Sequence, residues 1–135
     1  MKPCVYPLQT KRMVIGHVLV CCGCRCGDVS RGKAEVPVDW LKQEWKKRRL
    51  LKNIQLSICG CLGPCDLTNV VKISSPDDEI WLGNITRSRQ YRDLVDWASQ
   101  SEISGRLLPL PKEFEELRFE PLRSSLPDTS SGHPQ

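Results

Sequence analysis

Seven of the eight cysteines of this chain crowd into two short stretches, CCGCRCG at 21–27 and CGCLGPC at 59–65. Thiolates are soft anionic ligands, and four of them from two loops can enclose one compact metal centre. Two spacings suit this, Cys21-x4-Cys26 and Cys61-x3-Cys65. Gly27, Gly60 and Gly63 let the backbone come close, so that its N–H groups can point at sulfurs, and Pro64 stiffens the loop before the last cysteine. Three chemistries fit: an iron–sulfur centre, a zinc site built from two C-x2–4-C pairs, or a dithiol redox pair on Cys21-x-x-Cys24. The last leaves the second cluster unexplained. Cys22, Cys24 and Cys59 are further thiols within reach of the same loops, while Cys4 sits in an irregular N-terminus and reads as a free thiol.

Other chemistry is poorly represented. His17 lies in a strand pattern and His133 in the tail, so a satisfied strand histidine is expected rather than a Rieske-type ligand. Asp66 follows the last cysteine and suits a turn cap; no acid/base partner for it is evident. The chain has no phosphate-binding glycine loop, dinucleotide fingerprint or Ser-His-Asp grouping. An electron-transfer or metal-binding protein is therefore expected, not an enzyme.

Two sheet-like runs must carry the cysteines. VIGHVLVC (14–21) is β-branched and ends at the first cluster; NIQLSIC (53–59) turns Ile54, Leu56 and Ile58 inward and ends at the second. Between them VPVDWLKQEWKKRRLL reads as a helix, with Pro37 and Asp39 at its start and Val38, Leu41 and Trp45 on one face. NVVKIS (69–74) and EIWLG (79–83) flank the turn Ser75-Pro76-Asp77-Asp78 and predict a hairpin. TRSRQYRDLVDWAS (86–99) spaces Tyr91, Leu94, Val95 and Ala98 as a second helix. A βαβ crossover followed by an antiparallel hairpin and a helix predicts an α/β thioredoxin-like sandwich, with a mixed four-stranded sheet, two main helices and a C-terminal extension. The expected organisation is an N-terminal arm at 1–11, the domain at 12–104, and a Pro-rich extension at 105–135. The extension's first part is expected to pack through Leu107, Leu108, Leu110, Phe114, Leu117 and Phe119, and its last dozen residues to be disordered. Trp40, Trp45, Trp81 and Trp97 read as packing residues.

The 135 residues suit one domain, and the net charge is +4. Residues 38–52 hold six cations against two carboxylates, so this stretch alone equals the whole excess. Such a stripe suits an acidic partner surface, although a solvated helix face is the plainer account. It lacks the stacking aromatics of a nucleic-acid binder. The apolar run Met13–Cys22 lacks a cleavage signature and is too short to span a membrane, so a cytoplasmic location is expected, where clustered cysteines serve as metal ligands or redox thiols rather than disulfides.

The combination HVLVC-x4-C, SICGCLGPCD and the strand VVKIS resembles the thioredoxin-like [2Fe–2S] ferredoxins. RGKAEVPVDWLKQEW, GCLGPCDLTNVV and WLGNITRSRQYRDLVDWASQ…GRLLPLP are most similar, within that family, to small bacterial ferredoxins associated with cobalamin biosynthesis and cobalt chelation. The resemblance covers roughly residues 12–120. It implies a [2Fe–2S] cluster, one-electron transfer to redox partner proteins and a homodimer, with Trp81 near the dimer surface. It places the ligands on Cys21, Cys26, Cys61 and Cys65, with Cys22, Cys24 and Cys59 as alternates. A zinc- or cobalt-binding module, and a thiol–disulfide oxidoreductase using Cys21 and Cys24, are the other readings. The basic segment 38–52 is the expected docking surface.

Overall fold

The β-branched run forms strand β1 (Gly16–Cys21), which lies at the centre of the sheet with Val18 and Val20 fully buried. This computed structural model describes residues 8, 11, 13–23 and 26–122. Cys4, Cys24 and the tail expected to be disordered lie outside the described residues. Helix α1 (Val38–Lys47) follows, then β2 (Ile54–Cys59), the hairpin strands β3 (Val71–Ser74) and β4 (Glu79–Leu82), helix α2 (Ser88–Ser104) and a short β5 (Arg118–Phe119). The sheet order is β2-β1-β3-β4-β5; β1 and β2 are parallel, and the other neighbours are antiparallel. That crossover, central strand and hairpin are the thioredoxin-like arrangement.

The sheet has five strands, not four. The fifth comes from the C-terminal extension, where Arg118 pairs with Leu82 and Phe119 with Trp81. The extension is anchored before it reaches the sheet. The Ser101 hydroxyl accepts the Leu108 N–H at 3.0 Å, the Trp97 indole donates to the Leu108 carbonyl at 2.7 Å, and Phe114 is buried in the main core. Leu107, Leu108, Leu110 and Leu117 pack against the same core.

Helix α1 also stops earlier than its apolar spacing suggests. Continued past Lys47, it would carry the charged Arg49 onto the face of Leu41 and Trp45. Instead Arg49 takes a left-handed conformation (φ 57°), and a 3-10 turn at Leu50–Lys52 brings Leu50 into the core. Helix α2 runs on to Ser104 and ends at Gly105, whose φ of 84° supplies the left-handed cap. Trp45, Trp81 and Trp97 are buried and Trp40 packs at the core margin, as packing residues should. His17 bonds the Ser57 hydroxyl at 2.8 Å across the parallel pair.

Candidate metal centre

The parallel register brings the two cysteine clusters together. Cys21 ends β1, Cys59 ends β2, and the two are Cα partners in the ladder. The Cys22 N–H donates to the Cys59 carbonyl at 2.8 Å, so the loops part company only beyond this point. The segment before β3 returns to the same end of the sheet: the Cys21 N–H donates to the Val70 carbonyl at 3.1 Å. Since β4 runs parallel to β1, both α1 and α2 also begin at this end.

Here the side chains of Cys21 and Cys26 meet, and both residues are buried, at 4% and 2% exposure. Cys61 is exposed and within electrostatic reach of Cys21. The Cys21 thiol donates to the Gly60 carbonyl at 3.7 Å. The Cys26 sulfur accepts the Val70 N–H at 3.3 Å. Burial, reinforced by the adjoining Cys26, pushes the Cys21 thiol up to about 12, while the Leu62 N–H aimed at the same sulfur works the other way. A metal bound there would take the place of the thiol proton.

One buried amide holds the first loop in place. Asn69, 1% exposed, accepts the Gly27 N–H on Oδ1 at 2.8 Å and donates from Nδ2 to the Ala34 carbonyl at 2.8 Å. Gly27 turns the chain just after Cys26 at a φ of 78°, and a Cβ there would sit 3.1 Å from the Val36 side chain. The loop between β4 and α2 is tied to the same segment, Asn84 N–H to Leu67 carbonyl (2.8 Å) and Ile85 N–H to Asn69 carbonyl (3.2 Å). None of these ties is signalled by cysteine spacing; the only clue to Asn69 was its place ahead of a buried strand.

Of the four cysteines expected as ligands, Cys21 and Cys26 are in contact, Cys61 stands at the rim, and Cys65 begins a 3-10 turn in the same loop. Among the described residues no three His, Cys, Asp or Glu side chains stand close enough to form a finished metal site, and no disulfide joins the cysteines. Cys22 and Cys59 are half-buried beside the pair. Asp66 is exposed. The local chemistry fits a sulfur-bound metal group: soft donors from two loops, and backbone N–H groups aimed at two of the sulfurs.

No family model and no curated protein matches the chain. Among solved structures it is similar to the wild-type thioredoxin-like [2Fe–2S] ferredoxin from Aquifex aeolicus, at 19% identity and a TM-score of 0.48, covering 79% of this chain and 98% of that one. A second structure of a thioredoxin-like [2Fe–2S] ferredoxin from Aquifex aeolicus has 19% identity and a TM-score of 0.47, covering 79% and 92%. A cysteine-to-serine variant of the Aquifex aeolicus ferredoxin gives 18%, 0.45, 78% and 98%.

Proposed function

We propose that this chain is a one-electron carrier that holds a [2Fe–2S] cluster on Cys21, Cys26, Cys61 and Cys65, an electron-transfer protein rather than an enzyme. The observation that carries the reading is the buried Cys21–Cys26 contact at the end of β1, with the Cys61 loop folded against it by the parallel pairing of β1 and β2. When bound, such a cluster stores one electron, taking the formal charge of irons, sulfides and thiolates from about −2 to about −3. The chain's own groups favour that charge. The Leu62 and Val70 N–H groups point at sulfurs, and two helices present their N-termini at this end of the sheet. Cys61 gives the site its exposed edge, which is where an electron would enter or leave.

Partner docking belongs to the same proposal, with one refinement. Helix α1 runs away from the cysteine end, so Lys46, Lys47, Arg49 and Lys52 lie at the far end of the domain. Arg48 is engaged by Glu44 (3.0 Å) and Asp96 (2.9 Å). The stripe can steer an acidic partner by long-range attraction while contact is made near Cys61. No helix among the described residues is long and apolar enough to cross a membrane. A cytoplasmic setting, a homodimer and service in cobalamin (cobalt chelation) metabolism are proposals resting on the sequence alone.

A zinc- or cobalt-binding module is the second reading, favoured by the surplus thiols of Cys22 and Cys59 beside the pair. Anaerobic reconstitution with iron and sulfide separates the two. Visible absorption that bleaches on reduction, an S = ½ signal and two irons per chain support the electron carrier. A colourless protein that holds zinc or cobalt instead overturns it.

A further inference from the structure

The C-terminal extension does more than add a strand; it closes one side of a groove beside the second cysteine loop. Trp81 on β4 and Phe119 on β5 stand with ring centres 6.0 Å apart, and both belong with Leu62 to the cluster that holds Cys21 and Cys26. Gly83 lets this edge close up, because a Cβ there would lie 2.9 Å from the Leu67 side chain and 3.1 Å from the Phe119 ring. The groove, of about 560 Å³, is lined by these two rings, by the 62–64 segment that joins Cys61 to Cys65, and by the chain after β5 as far as Leu122. Leu122 is 68% exposed, a large apolar side chain left in water. The groove's only charged residues are Asp66 and Glu120, both exposed and without an ion-pair partner among the described residues. The Lys72 ammonium, 5.0 Å from the centre of the Trp81 ring, does not line the groove and is paired with Glu79 at 3.3 Å.

We propose that this groove seats a segment of the electron-transfer partner that combines an apolar side chain with an arginine or lysine. The apolar side chain fills the space between the rings and Leu122, and the cation meets the carboxylates of Asp66 and Glu120. Charge complementarity favours a basic segment over an acidic one. The chain as a whole carries +4, yet the charge lining the groove is negative, and a centre held on thiolates adds more of the same sign. The basic stripe lies at the far end of the domain, so the two ends differ in sign. An acidic surface of the partner is drawn to the stripe while its basic, apolar segment is drawn to the groove, which fixes the orientation of docking. Because the 62–64 segment joins two of the proposed ligands, the seated segment rests against the loop where an electron would leave. The inference deepens the electron-carrier reading and rests on it.

The test titrates the full chain, isotope-labelled, reduced and metal-free, with the acetylated and amidated peptide Arg-Leu-Arg-Leu, against Glu-Leu-Glu-Leu as control. The arginine peptide is expected to shift the NMR resonances of Leu62, Trp81, Phe119 and Leu122, and the glutamate peptide to leave them in place. Asp66→Asn and Glu120→Gln should each weaken binding about two- to fivefold, as befits one exposed ion pair, and Leu122→Ser should weaken it as well. Shifts confined to other residues, equal binding of both peptides, or variants that bind like wild type overturn the proposal. Binding that appears only after removal of residues 123–135 also overturns it, since the chain's own tail would then be the occupant. The reconstituted protein reads the functional half. One electron passes from its reduced centre to tris(phenanthroline)cobalt(III), an apolar aromatic trication, leaving the cobalt(II) complex. The arginine peptide and Leu122→Ser should slow this step more than reduction of the anion hexacyanoferrate(III), and equal effects on the two acceptors overturn docking at the groove while leaving the electron carrier standing. Should wild type assemble no iron centre, the electron-carrier reading falls, and the peptide titration alone decides the groove.

Discussion

Replacing Asn69 by alanine tests how the first cysteine loop is held. The side chain is 1% exposed and makes two hydrogen bonds of 2.8 Å, accepting from Gly27 and donating to Ala34. Alanine removes both and leaves the half-buried Gly27 N–H and Ala34 carbonyl without a protein partner. With about 1–3 kcal/mol for each group so stranded, and relaxation and water recovering part of it, the expected loss is about 2–4 kcal/mol. Native stabilities are about 5–15 kcal/mol, so the variant should fold. The loss should concentrate in the opening of the segment that follows Cys26, a residue 2% exposed in the wild type. At about 1.4 kcal/mol per factor of ten, the lower bound corresponds to about thirtyfold faster alkylation of Cys26. Urea unfolding of the metal-free protein under reducing conditions gives the first quantity. Pulsed alkylation read by peptide mass spectrometry gives the second. An unchanged urea midpoint with Cys26 as protected as before would refute the reasoning, because it would mean that the strand contacts alone keep the loop closed.

Substitution by serine should sort the thiols. Cys26→Ser and Cys61→Ser are expected to lose most bound iron after reconstitution, while Cys59→Ser keeps it, as measured by iron per chain. Charge reversal at Lys46, Lys47 and Arg49, leaving the ion-paired Arg48 alone, should reduce the salt dependence of electron transfer to an acidic partner; rates and salt slopes that stay the same would remove the stripe from docking. Burial and then the nearby Lys72 hold His17 below its ordinary pKa. The unfolded chain thus takes up a proton near pH 6.5 that the folded one refuses, and stability should fall as pH drops below about 6.5. In His17→Gln that part of the fall should vanish from the pH dependence of the urea midpoint.

The elements bearing the cysteines were legible because their patterns are local. A β-branched run and an alternating run, each ending at a cysteine cluster, point to two strands, and a helix between them suits the crossover that a parallel pair needs. What escaped was non-local. Arg118 and Phe119 carry no strand pattern; they form β5 because β4 offers an open edge and Leu117 accepts the Gly83 N–H at 2.9 Å. The end of α1 escaped because Arg48 and Arg49 are good helix formers, and it takes the packing of Leu50 into the core, with Arg49 turned off the apolar face, to break the helix there. Asn69 escaped because a polar residue's role depends on what the fold places opposite it, about which spacing is silent.

Burial also bears on a choice that spacing leaves open. Adjacent residues at a strand end point to opposite faces, so a slip of one position would exchange Cys21 for Cys22. The core sets the register: Val18 and Val20 are fully buried on one face, where the half-buried Cys22 follows them, so Cys21 turns to the opposite face, where it is 4% exposed and clusters with Cys26, Val70 and Trp81. On the neighbouring strand the ladder pairs Cys59 with Cys21, two residues before Cys61. Cys59 is thereby tied into the sheet, with its carbonyl spent on the Cys22 N–H, whereas Cys61 sits in the loop beyond, where the backbone can bend toward a bound group. The same packing that makes β1 a central strand thus argues for Cys21 over Cys22 and for Cys61 over Cys59. The serine series above tests the second half of this argument: iron lost in Cys61→Ser and kept in Cys59→Ser is what a Cys59 tied into the ladder requires.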